Sequence, residues 1–240
     1  VIVATAVCPH PPLLLRELTG AQDPAADLRG VCESGVAALL ATPRLDVVVV
    51  VGGADTSRDR VTGRVPVRVY GGDAPVLADG DAESAEDPAP LPLSLGVARR
   101  LLAAVGADVP VETATVAWDA PPEEVDRVAR AVAGRADRVG LLVMGDGGAR
   151  WGVYAPGHLD TAPVDVDEVV RRALADGDTG ALTVLDADQA AAQRVSGRAA
   201  LQVMASAVAL GGASVGSELL YADAPFGVTY FVAVWSCASS

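Results

Sequence analysis

The sequence predicts an α/β fold: a three-layer αβα single domain around a mainly parallel, mixed central sheet. Three observations carry this. Apolar runs such as Asp46 to Val51 and Val139 to Met144 are continuous, as strands buried on both faces require. Helical periodicities alternate with those runs, which implies right-handed crossovers and a parallel sheet. The chain ends in two strand-like runs joined by a short turn, so the last strands are antiparallel.

Val1 to Val7 reads as the first strand, and Cys8-Pro9-His10-Pro11-Pro12 gives it an irregular exit because proline cannot continue a ladder. Its apolar residues lack the basic flank and cleavage site of a signal peptide. Asp23-Pro24 caps a helix whose Leu28, Cys32, Val36 and Leu39 recur at helical spacing. The second strand, from Asp46, stops at Gly52-Gly53-Ala54-Asp55. Val65 to Tyr70 reads as a shorter strand, and residues 73–92, acidic and rich in proline, as a surface loop. Leu95, Ala98, Leu102 and Val105 mark a helix, Val111 to Ala117 a strand, and Pro122 to Ala133 a helix with Val125, Val128 and Val132 inward. Val139 to Met144 then runs into Gly145-Asp146-Gly147-Gly148. After a loop through Trp151, Tyr154 and His158 come helical segments near 165–176, 178–185, 187–194 and 196–210. Val215 to Tyr221 and Val228 to Trp235 close the sheet as a hairpin. No internal repeat or linker divides the chain.

Composition narrows the function. With 31 acidic against 18 basic residues the net charge is −13, a field that repels a phosphate backbone, and no basic patch offsets it. Every basic residue except the two histidines is arginine; lysine and asparagine are absent, a bias that reads as GC-rich coding. Nucleic acid is therefore excluded as a partner. No apolar run approaches the roughly 20 residues of a membrane span. Cys8, Cys32 and Cys237 form no CxxC pair, and a reducing cytoplasm is the simple reading.

Open α/β sheets bind ligands beyond the carboxyl ends of their strands. Here those ends carry His10, Asp55 and Asp146, with Asp73 after Gly71-Gly72 as a fourth position. Single Gly-Asp pairs are ordinary turn chemistry; their repetition points to a shared cleft. Neither glycine cluster has dinucleotide or P-loop spacing, and no lysine exists to serve a P-loop. The nucleophile elbow is missing as well. Cys8 is either a metal partner two residues from His10 or a small core residue. His158 is either an acid-base group or plain surface. Trp118, Trp151 and Tyr154 follow strand ends, where they line an aromatic pocket or fill the core.

From Cys8-Pro9-His10-Pro11-Pro12 onward the sequence resembles the LigB-like superfamily of class III extradiol dioxygenases, a group that also includes the Memo proteins. The likeness is strongest to an actinobacterial branch. It includes Val143-Met144-Gly145-Asp146-Gly147 with Arg150, Ala155-Pro156-Gly157 with Leu159-Asp160, Glu218-Leu219-Leu220-Tyr221, and Asp223-Ala224-Pro225-Phe226-Gly227. The resemblance implies a site for Fe(II), or for Zn, with His10 as first ligand, Asp55 where the family has its second histidine, and Glu218 as the carboxylate. His158 would stand in as acid-base catalyst, beside a pocket lined by Asp146, Trp151, Tyr154 and Trp118. The family uses three histidines and this chain has two. Loss of an acid-base group costs about 10²–10⁴ in rate. The expectation is thus a degenerate site, with or without metal, that binds a small molecule in a binding or regulatory role. The alternatives are an extradiol-type dioxygenase acting on a small phenolic compound, and a hydrolase using Mg²⁺ or Mn²⁺ on Asp55, Asp73 and Asp146. Relatives often pair, so a homodimer is also expected.

Overall fold

In the computed structural model, which describes residues 1–71, 89–149 and 165–238, the chain alternates strand and helix as β1 (Ile2–Cys8), α1 (Ala26–Leu40), β2 (Val47–Ala54), β3 (Arg58–Asp59), α2 (Leu93–Ala104), β4 (Val111–Ala117), α3 (Pro122–Ala133) and β5 (Val139–Met144). There follow α4 (Val166–Asp176), α5 (Thr179–Thr183), α6 (Ala187–Ala192), α7 (Arg198–Leu210), β6 (Ser214–Asp223) and β7 (Tyr230–Ala238). The seven strands form one sheet in the order β3-β4-β2-β5-β1-β7-β6. The adjacent strands β4, β2, β5 and β1 are mutually parallel. β7 pairs antiparallel with β1, β6 antiparallel with β7, and the two-residue β3 antiparallel with β4.

The valine run explains the layering. Successive strand residues point to opposite faces. Val48 and Val50 pack under α1 and α2 with Leu39, Leu95 and Leu101. Val47, Val49 and Val51 pack on the other face with α3, α4 and α7 through Val128, Val170 and Met204. A polar residue in this run would strand a side chain between two apolar layers, so no alternation is possible. α3 shows the complementary pattern, with Val125, Val128, Ala129 and Val132 buried along one stripe.

Crossover order brings the functional strand ends together. β1 lies in the middle, α1 carries the chain past a gap to β2, and β5 later fills that gap. β1, β5, β2 and β4 therefore present their carboxyl ends side by side.

One expectation is corrected and one open alternative is decided. Residues 65–70 are not a strand: Val67–Tyr70 forms a 3-10 helix, since Pro66 has no N–H for a ladder. Of the two readings of Cys8 the core one fits: it lies fully buried in the α1–α2 layer with Sγ 3.8 Å from the Cys32 carbonyl. A hydrogen bond with Cys32, then burial, holds its thiol well above the ordinary range. Asp73, Trp151, Tyr154 and His158 lie outside the described residues. Among those described, no helix is long and apolar enough to cross a membrane.

Gly30 in α1 has open space where a Cβ would go. Gly30→Ala should therefore raise unfolding free energy by about 0.5–1 kcal/mol in denaturant titrations, since it lowers unfolded-chain entropy without a clash.

Candidate functional site

The site is built on the four parallel strand ends. Asp146, just past β5, accepts a 2.8 Å hydrogen bond on Oδ1 from the His10 backbone N–H beyond β1. Its carbonyl accepts from Gly197 N–H, at the start of α7, at 2.8 Å. Gly145 donates to the Cys8 carbonyl and Gly147 to the Thr229 carbonyl. One residue thus ties β1, β5 and α7 together.

The glycines around it are there for contact. A Cβ on Gly145 would lie 2.8 Å from Gly197 Cα, and one on Gly147 2.7 Å from an Asp167 carboxylate oxygen. Asp167, buried near the start of α4, accepts from Gly148 N–H at 2.7 Å and from the Thr229 hydroxyl at 2.6 Å. The Gly-Asp-Gly-Gly cluster is a packing knot in which Asp146 is the residue left facing His10.

His10 is 5% exposed. Its Nδ1 stands 3.6 Å from Asp146 Oδ1, too far for a hydrogen bond. Nδ1 is buried without a hydrogen-bond partner among the described residues. Downstream, the Arg29 guanidinium bonds the carbonyls of Leu13 and Leu14 and the Asp23 carboxylate. That pairing pulls Asp23 down to about 2 and pins the segment that leaves the site.

The imidazole stacks on Trp118, with ring centroids 6.2 Å apart and planes 19° from parallel. Trp118 follows β4, three strand positions from β1, a separation of about 14 Å at ordinary strand spacing. The rings meet only because each leans inward over its neighbour. A Cβ on Gly53, at the end of β2, would sit 1.8 Å from the indole. Buried Arg198, on α7, donates to the carbonyls of Trp118 and Ala120 and to Gln202, which holds that turn in place.

Together these groups wall a cavity of about 570 Å³, within the range of small-molecule sites, that includes His10, Gly53, Asp55, Arg58, Ser94 and Trp118. The expected residues His10, Asp55 and Trp118 therefore share one cavity, with Asp146 behind His10. Asp55 is exposed at its rim.

Glu218 does not join them, which corrects its expected place. It sits exposed on edge strand β6, opposite Val234, and lines a separate depression with Thr42 and Ser236. β7 runs antiparallel to β1, so Val234 stands beside Ala6, four residues short of His10. Among the described residues no group of three or more His, Cys, Asp and Glu side chains is placed to hold a metal. The expected set of His10, Asp55 and Glu218 is therefore not brought together as an Fe(II) or Zn site. Of the Asp-only hydrolase set, Asp73 lies outside the described residues, and Asp146 Oδ1 is engaged with the His10 backbone.

Arg58 and Tyr230 were not singled out from sequence. Tyr230 opens β7 beside the β1 exit, and burial, then the charges of Asp146 and Tyr221, push its phenol from 10.0 up to about 12. Only the antiparallel return of the last hairpin brings it there, and no local motif announces that.

No family model and no curated protein matches the chain. Among solved structures, a crystal structure of an uncharacterized protein from Escherichia coli K12 is similar, at 11% identity and a TM-score of 0.47, over 98% of this chain and 99% of that one.

The raised Tyr230 value has a sign. Between pH 10 and about 12 the unfolded phenol ionises while the folded one does not, so stability falls as pH rises through that window. The slope from this group is about 1.4 kcal/mol per pH unit. Denaturant titrations at stepped alkaline pH should show a shallower decline in Tyr230→Phe than in wild type.

Proposed function

We propose that this protein binds a small planar ring compound in the His10–Trp118 cavity, on a LigB-like scaffold whose metal site is degenerate. The observation that carries the reading is the buried imidazole stacked on an indole at the strand ends, backed by Asp146. Stacked rings offer a planar ligand a further face at 4.5–7 Å centroid separations. His10 Nε2 would accept a hydrogen bond from a ring hydroxyl, and Arg58 gives the wall one cationic group. The two-histidine composition and the separation of Glu218 from His10 support a binding or regulatory role over ring cleavage. The Fe(II)-dependent reading requires ligands beyond His10 and Asp55, and a chelator distinguishes the two.

The test is titration calorimetry with phenol and catechol on wild type, His10→Ala and Gly53→Ala, each with and without EDTA. Expected are wild-type binding unaffected by EDTA and at least tenfold weaker binding in both variants, since Gly53→Ala drives Trp118 off the cavity. Binding abolished by EDTA would favour the metal-dependent reading. Absence of wild-type binding at millimolar concentration, or variants that bind as wild type does, would contradict the proposal.

A further inference from the structure

A second cavity of about 550 Å³ adjoins the first, between α2 and the β2–β4 face of the sheet. Val50, Leu95 and Leu102, all at most 4% exposed, contribute to its wall, so it reaches down to the sheet. Arg60 and Glu112 stand on its lining and pair with each other at 3.6 Å. Arg99, also on the lining, donates to the Gly63 carbonyl, and the deep wall formed by Val50, Leu95 and Leu102 is apolar.

The two cavities share Val61, Thr62 and Leu91 as lining residues. This partition is pinned in several places. The Val61 carbonyl accepts from the Thr113 hydroxyl. The Gly63 carbonyl accepts from Arg99 Nη1 at 2.6 Å. Arg64 N–H donates to the Ala89 carbonyl, and Leu91 N–H to the Arg64 carbonyl. Gly63 belongs to this contact, since a Cβ there would lie 2.4 Å from the Ala89 carbonyl oxygen.

A ring-walled chamber that shares a rim at Val61, Thr62 and Leu91 with a second chamber of apolar base points to an elongated ligand. The geometry points to an amphiphile: a planar hydroxylated ring against His10 and Trp118, carrying an unbranched apolar chain past Val61 and Leu91 into the second chamber. This rests on the ring-binding reading above and adds the ligand's second half. It also predicts which change matters where. Filling the far chamber should remove the contribution of the chain and leave the ring untouched.

The probes are phenol and its 4-ethyl, 4-butyl and 4-hexyl derivatives, titrated calorimetrically into wild type, Ala103→Trp and Thr62→Trp. Ala103 lines only the second cavity and is exposed on α2, and Thr62 is exposed on the partition. Substitution at either position leaves the core intact. Each methylene that enters the far chamber should tighten wild-type binding roughly three- to fourfold. Ala103→Trp should flatten that dependence while binding phenol as wild type does, and Thr62→Trp should weaken the long-chain probes most. An affinity independent of chain length in wild type, or the same dependence in Ala103→Trp, would overturn the inference with ring binding still standing. Failure of every probe, phenol included, would remove the ring-binding reading and this one with it.

Discussion

Asp146 is the residue on which the site depends. Its carboxylate takes the His10 backbone N–H and its backbone carbonyl takes that of Gly197, so two strands and a helix meet at one residue. A hydrogen bond to a charged group is worth about 1.5–3 kcal/mol, and leaving a buried donor unpaired costs a similar amount. The same carboxylate stands 3.6 Å from the His10 ring and adds to the burial that raises the Tyr230 phenol. Structure and chemistry draw on one group, and this is why it sits in a nest of glycines that no side chain could occupy.

The rest follows from strand order. Because β5 enters between β1 and β2, Asp146 stands between His10 and Gly53, and Trp118 closes from β4 on the far side. The His10–Trp118 stack is a long reach across the sheet top, made feasible by the missing Cβ of Gly53 below it and by Arg198 holding the Trp118 carbonyl behind it. Each device is ordinary alone. In combination they hold two rings near parallel at the mouth of a cavity.

Much of this was legible in the sequence. The valine runs and helical periodicities mark the two-sided sheet, because burial on both faces leaves a continuous apolar signal. The glycine and aspartate residues after β2 and β5 mark the strand ends, and His10 stands out through its prolines. Glu218 misled because a motif shared along the chain fixes neither the face nor the level of an edge strand. The role of Asp146 as the support of His10, the nearness of Tyr230 and the second cavity depend on pairings more than a hundred residues apart or on the meeting of several segments. Pro66 was the one clear local sign against a strand at 65–70.

The central claim is that the Asp146 carboxylate, by holding the His10 backbone, sets the imidazole against Trp118. The most direct measurement is NMR of the imidazole ring signals in wild type, Asp146→Ala and Trp118→Ala, with His158→Ala to assign the two histidines. The account predicts that the indole displaces the His10 ring signals in wild type, that Trp118→Ala abolishes the displacement, and that Asp146→Ala loses most of it. Identical His10 ring signals in wild type and Asp146→Ala would contradict it.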